Sequence, residues 1–251
     1  LSMTKWWVKL AAMVLGLTFV VAPAAVAQQG TDQGQQIYEQ SCALCHQDSG
    51  AGEPPTFPAL RGNDQLGELS RIVRSIRQGR RRMPPFPALT AGELTALANY
   101  IRNAWTNDFS RVTTEEVAAV LEGLEVTGPM ATIWDGVFTE AQATRGRAAY
   151  EGACALCHGR RLNGAPDDPD MRSSPPLARA RFLRVWDGRS LATLYEYTRA
   201  TMPEDNPSSL TEEEYVDVVA YMLSVGGMPV GGEELQADAR SLARVVIGPQ
   251  P

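Results

Sequence analysis

The chain has 251 residues, four cysteines and two histidines, and all six of those residues fall in two copies of one five-residue string. The first copy reads Cys42-Ala43-Leu44-Cys45-His46 and the second Cys154-Ala155-Leu156-Cys157-His158. No third site can be assembled from these residue types. With no histidine to spare, no histidine-based nucleophile–base pair is available outside the strings either. Any fold this chain adopts has to present the same local chemistry twice.

The strings are the centre of a longer repeat. Gly34-Gln-Gln-Ile-Tyr38-Glu39 leads into Cys42, and Gly146-Arg-Ala-Ala-Tyr150-Glu151 leads into Cys154, an offset of 112. Downstream, Pro58-Ala59-Leu60 matches Pro175-Pro176-Leu177, Met83-Pro84 matches Met202-Pro203, Leu89-Thr90 matches Leu210-Thr211, and Tyr100 matches Tyr221. The offset drifts from 112 to 121, so the second copy carries added loop residues, most of them in the polar run 159–174. Two units are too few for a solenoid. The organisation is a tandem duplication of a small domain: residues 28–108, a linker 109–138, and residues 139–251 with a C-terminal extension.

Each copy reads as helices. Thr90 with Glu93, and Thr211 with Glu214, have capping-box spacing. Behind them Leu94, Leu97, Ala98, Ile101 and Trp105 share one helical face, as do Tyr215, Val218, Val219 and Met222. A middle helix is expected with Asp64 as its cap, a stripe of Leu66, Leu69, Ile72, Val73 and Ile76, and Gly79 as its stop. Leu191, Leu194, Tyr195 and Thr198 form the weaker equivalent. Thr113 and Glu116 start a short helix over 114–124, ended by Gly128-Pro129, and 235–246 is a last helix or a strap. No alternating strand pattern occurs, and the expected class is all-α.

Residues 1–27 have the features of an export signal. Lys5 and Lys9 frame a basic region, an apolar run spans 10–21, and Ala25-Val26-Ala27 offers a cleavage site. The alternative is an uncleaved anchor, although Trp6 to Val21 is 16 residues, short of the ~20 a spanning helix needs. Export places the chain in the periplasm, with membrane contact only if this segment is retained. Without residues 1–27, every basic residue is an arginine: 21 against 29 acids. The charge is uneven, with 9 arginines and 8 acids in 28–112 but 12 and 21 in 113–251. An acidic balance argues against nucleic acid as a partner.

Cys-x-x-Cys-His is the attachment string of c-type haem. Two thiols one helical turn apart form thioethers with the two porphyrin vinyl groups, and the adjacent histidine lies under the iron. A structural zinc site would need four ligands at one centre, and here they would have to be drawn from two separate domains. A thiol–disulfide centre does not account for a histidine in both strings. Two covalently bound haem c groups are therefore expected, on Cys42, Cys45 and His46 and on Cys154, Cys157 and His158. The sixth iron ligand follows by elimination, because neither histidine nor lysine remains. Of Met83, Met130, Met171, Met202, Met222 and Met228, only Met83 and Met202 occupy equivalent places in the two copies. Met222, on its helical stripe, suits core filling. His/Met ligation gives low-spin iron of fairly high potential.

The order helix, Cys-x-x-Cys-His, Pro-x-Leu, middle helix, Met-Pro, closing helix resembles a class I cytochrome c domain, twice over. The stretches from Trp134 to Ala143, Met202 to Pro207 and Tyr215 to Pro229 are similar to cytochrome domains of pyrroloquinoline-quinone (PQQ) alcohol dehydrogenases. The resemblance implies that the carbonyls of Pro58 and Pro175 accept the proximal histidine N–H. It also implies a dihaem carrier that takes single electrons from a substrate dehydrogenase, PQQ-type favoured, and passes them to a cytochrome or terminal oxidase. No residue is expected to be catalytic. A dihaem enzyme such as a peroxidase is the alternative, disfavoured because it commonly needs additional histidine.

Other residues carry two readings each. Tyr38 and Tyr150 fit a crossing of first and last helices, as core packing or with a redox role, and Trp105 and Trp186 are either core residues or cover a haem face or bond a propionate. Arg80, Arg81 and Arg82 beside Met83, with Arg71, Arg74 and Arg77 nearby, are a solvated face, or one or two neutralise propionates and the rest form a basic docking ring. The second copy has Glu204 and Asp205 at that place, which predicts two docking faces of opposite charge.

Overall fold

The computed structural model describes residues 23–124, 130–164 and 174–251, with side chains from residue 32 onward. The signal segment before residue 23, Met171, most of the 159–174 loop and the Gly128-Pro129 stop lie outside the described residues. In chain order the helices are α1 (Pro23–Ser41), α2 (Ala43–His46), α3 (Leu69–Gln78), α4 (Ala91–Asn103), α5 (Thr114–Leu121), α6 (Glu140–Ala153), α7 (Ala155–His158), α8 (Arg179–Trp186), α9 (Leu191–Thr201), α10 (Glu212–Gly226) and α11 (Ala239–Leu242). Two strands of two residues, β1 (Ala131–Thr132) and β2 (Val245–Val246), pair in parallel. Among the described residues no helix is long and apolar enough to cross a membrane.

The molecule is two helical domains built on one plan. In each, the helix before the Cys-x-x-Cys-His string crosses the last helix: α1 on α4, and α6 on α10. The repeated glycine makes the crossing close. A Cβ on Gly34 would lie 2.2 Å from the Ala96 carbonyl oxygen, and one on Gly146 would lie 1.8 Å from that of Asp217. One turn on, Tyr38 packs against Tyr100 and Tyr150 against Tyr221, with ring centroids 5.4 Å apart in both pairs. The repeated Gly-x-x-x-Tyr is the signature of this crossing.

Capping boxes start α4, α5 and α10 as the spacing predicts. The middle helix of the first domain departs from expectation. Asn63, not Asp64, caps a short 3-10 turn over 64–67 by accepting from the Gln65 N–H, and α3 begins only at Leu69. Leu66 is buried from that turn rather than from the helix. Gly79, with φ 75°, ends α3 as expected. The residues with no counterpart in the repeat are shared between the two cores. Phe109, Val112, Val117 and Leu124 pack with the first domain, whereas Ile133 and Phe138 are fully buried in the second. The C-terminal strap lies beside them. Ile247 is fully buried, its N–H bonds the Arg189 carbonyl at 2.8 Å, and the Trp134 indole donates to the Gly248 carbonyl at 3.0 Å.

Candidate haem sites

Each string closes a single helical turn. The His46 N–H bonds the Cys42 carbonyl at 2.9 Å, and the His158 N–H bonds that of Cys154 at 3.0 Å. Both thiols of a pair thus project from the same turn, and all four cysteines are free of disulfides. The turn is a direct continuation of the crossing helix, since the Cys42 and Cys154 N–H groups bond the Tyr38 and Tyr150 carbonyls at 2.8 Å. The same tyrosines reach over the string from the side-chain end. Tyr38 Oη donates to the Gln47 carbonyl at 2.6 Å and Tyr150 Oη to that of Gly159 at 2.7 Å. They pin the residue that follows each histidine, a contact beyond core packing that no local spacing specifies.

The histidines are oriented alike. His46 Nδ1 lies 2.8 Å from the Pro58 carbonyl and His158 Nδ1 lies 2.8 Å from the Pro175 carbonyl. A carbonyl can only accept, so Nδ1 carries the proton and the Nε2 lone pair is left free for a metal. Burial lowers the His46 pKa, opposed by the bond to Pro58, which favours the neutral, ligating imidazole. Burial also pushes the Cys42 thiol up to about 12 and those of Cys45 and Cys154 up to about 11. Such thiols remain protonated, unlike the thiolates of disulfide exchange. Two unpaired thiols on one turn beside an imidazole with a free Nε2 are a donor set that fits haem c, and it occurs twice.

The two repeat-equivalent methionines are both half-buried but are held differently. Met83 sits in a tight turn in which the Arg80 N–H bonds the Met83 carbonyl and the Met83 N–H bonds the Arg80 carbonyl, each at 2.9 Å. From α3, Arg77 donates to the carbonyls of Pro87 and Leu89 and anchors the chain leaving that turn. Met202 caps the C-terminus of α9, its N–H on the Thr198 carbonyl at 2.8 Å, while its own carbonyl accepts from Tyr215 Oη at 2.7 Å. Met222 and Met228 are buried in the second core and Met130 is exposed.

The side chains with two readings divide. Trp105 spends its indole N–H on the Asp48 carbonyl at 2.9 Å and meets Tyr38 and Tyr100 edge-to-face, covering the loop after His46. Trp186 is buried in the second core, with Tyr197 at 5.9 Å and the Arg189 guanidinium over its ring. Among the arginines near Met83, Arg77 is occupied by backbone carbonyls. Arg82 reaches the other domain and donates to Ser208 Oγ at 2.9 Å. Of the three arginines beside Met83, Arg82 is thus engaged with the second domain, while Arg80 and Arg81 are exposed.

Two helical domains, each with a Cys-x-x-Cys-His turn and a proline-oriented histidine, define a tandem class I cytochrome c. A family model described as cytochrome c oxidase, cbb3-type, subunit III matches residues 29–101 and again 141–222. The chain belongs to this family of cytochrome c proteins. It is 26% identical over 221 residues to the Cbb3-type cytochrome c oxidase subunit CcoP of Rhodobacter capsulatus, covering 84% of this chain and 67% of the relative. It is 25% identical over 227 residues to the subunit of that name from Cereibacter sphaeroides, covering 84% of this chain and 66% of the relative. Cytochrome c6 of Cyanidioschyzon merolae is 30% identical over 96 residues, which are 34% of this chain and 88% of that protein. The chain thus spans about two thirds of the oxidase subunits and contains one stretch that nearly fills a single-domain cytochrome. Membership makes it an electron-transfer protein of the haem c kind.

Proposed function

We propose that the protein is a periplasmic dihaem carrier that moves single electrons from a substrate dehydrogenase, with a PQQ enzyme favoured as donor, to a downstream cytochrome or terminal oxidase. The observation that carries this reading is the duplicated donor set, with each histidine held at 2.8 Å by its proline carbonyl. Cys42 and Cys45 would hold one haem covalently and Cys154 and Cys157 the other. His46 and His158 supply the proximal nitrogens, and Met83 and Met202 the distal sulfurs. The haem, when bound, supplies a one-electron iron couple. The chain fixes imidazole orientation through Pro58 and Pro175 and holds the Met83 turn through Arg77, and thioether ligation by methionine would raise the potential. The naming of the relatives as oxidase subunits supports the acceptor end of the path.

Mass spectrometry of the purified protein tests the reading. Two haem additions per chain that survive acid–acetone extraction are expected, with a ferric spectrum that shows the methionine–iron band and no high-spin signal. One haem, or haem lost on extraction, overturns it. A high-spin signal in the untreated protein would favour the peroxidase-like alternative.

A further inference from the structure

The two strings are equal in sequence but unequal in surroundings. Leu156, between the second pair of cysteines, is 65% exposed. Leu44, its counterpart between the first pair, packs against the core of the second domain. Covering this leucine is therefore no requirement of the domain plan. It results from docking the second domain on the first string.

The docked surface is built from both sides. Arg189 Nε donates to the Gln40 carbonyl at 2.8 Å, two residues before Cys42. Gly188, with φ +73°, lies so close that a Cβ there would stand 2.3 Å from Gln40 Nε2. Phe57, next to the histidine-orienting Pro58, lies parallel to Tyr197 on α9, with 6.4 Å between ring centroids and 4° between planes. Tyr197 in turn meets Trp186 edge-on at 5.9 Å. At the far end, Arg82 beside Met83 bonds Ser208 in the loop after Met202. The basic Met83 turn and the acidic second domain thus face each other.

We propose that this seam is the internal exchange face of the protein, and that Tyr197 is the positioning residue through which the first string is coupled to the second domain. The inference rests on the dihaem reading above. The step is the transfer of one electron from the ferrous site of one domain to the ferric site of the other. One iron is oxidised, the other reduced, and no bond or proton is exchanged. Tyr197 stays in its closed-shell state and sets its ring parallel to Phe57 at the seam. Tunnelling falls off exponentially with unfilled distance, so the ring matters more than the hydroxyl.

The test uses the full haem-loaded chain with Tyr197→Phe and Tyr197→Leu. Haem counting and the ferric spectrum come first, and two low-spin haems in the parent and both variants establish that the sites are intact. A parent with fewer than two haems defeats the dihaem reading itself and is recognised at this stage. One-electron pulse reduction then follows redistribution between the two haems, and paramagnetic NMR follows the haem methyl signals of the first domain. In Tyr197→Leu the redistribution is expected to slow by about an order of magnitude, and the first-domain signals to move although the substitution lies in the second domain. Tyr197→Phe should stay near the parent in both. If Tyr197→Leu keeps the parent rate and leaves the first-domain signals in place, Tyr197 is merely a core residue of its own domain and the proposal fails. Equal loss in Phe and Leu variants would also overturn it, since the hydroxyl rather than the ring would then be required.

Discussion

At the scale of single residues, the two methionines are the sharpest test of the ligand assignment. No lysine follows Lys9 and no histidine lies outside the strings, so neither sulfur has an understudy. Met83→Ala is expected to turn the first haem high-spin or water-ligated, lower its potential, and leave the second haem's spectrum intact. Met202→Ala should do the converse. Optical and EPR titration of each variant checks this, and an unchanged low-spin methionine spectrum in either one would sink that assignment. A second residue-scale case is Glu196, buried on α9 with Oε2 lacking a hydrogen-bond partner. Burial raises its pKa, opposed by Arg199 on the same helix and Arg82 across the seam, while Glu212 adds to the rise. A carboxyl whose folded pKa lies above its unfolded value binds its proton more tightly when folded. Its charging therefore costs stability as pH rises through that raised value, and costs nothing once the group is protonated in both states. Glu196→Gln should raise the melting temperature relative to the parent more at about pH 8 than at about pH 4, the region of an ordinary glutamate. The opposite ordering in scanning calorimetry would show that its pairing with Arg199 outweighs its burial.

Among the elements, the decisive contact is the crossing of the helix before each string with the last helix of its domain. This crossing aims the string, because the tyrosine carbonyl that ends the first helix also accepts the N–H of the first cysteine. Gly146→Ala is the direct perturbation. A Cβ 1.8 Å from the Asp217 carbonyl cannot be accommodated, so α6 must slide or tilt on α10. Overpacking of this kind costs about 1–3 kcal/mol. The variant is expected to unfold at lower denaturant in the second domain, with the first domain's transition unchanged. Stability within a few tenths of a kcal/mol of the parent would mean that the helices have slack there. Alanine is otherwise the best helix former, so propensity alone predicts the opposite sign.

For the whole molecule, the question is which surfaces are used internally. Matching leucines in matching strings give a controlled comparison, since Leu44 is covered by the second domain while Leu156 is open to solvent. Leu44→Gln is expected to destabilise the two-domain arrangement by about 1–2 kcal/mol, the scale of losing one partly buried apolar side chain. Leu156→Gln should stay within about 0.5 kcal/mol of the parent, as exposed substitutions do. Urea unfolding followed separately at each haem reads both, and equal effects would show that the domains do not dock in solution as described. The charge asymmetry belongs to the same scale. Arg82 and the acidic second domain were expected to face two different partners, yet Arg82 bonds Ser208 and its charge acts on Glu196. Part of the complementarity is consumed within the molecule.

The sequence alone determined the local chemistry, because a five-residue string on one helical turn carries its own geometry. Cysteine spacing sets two thiols on one side, and the neighbouring histidine needs no distant residue to take its place. The capping boxes at Thr90, Thr113 and Thr211 were legible for the same reason, since their partners lie three residues away. So was the duplication, which repeats Gly34 and Tyr38 as Gly146 and Tyr150. Tertiary structure decided whatever depends on neighbours distant in the chain. Arg77 looked like one more surface arginine until its guanidinium met the Pro87 and Leu89 carbonyls. Asp64 is the cap the sequence suggests, and Asn63 takes that place because its side chain reaches the Gln65 N–H. Nothing local distinguishes Leu44 from Leu156, or marks Tyr197 as the ring that meets Phe57 across 140 residues of chain. Those contacts follow from how two similar domains pack on one another, and a repeat in sequence carries no information about the packing of its copies.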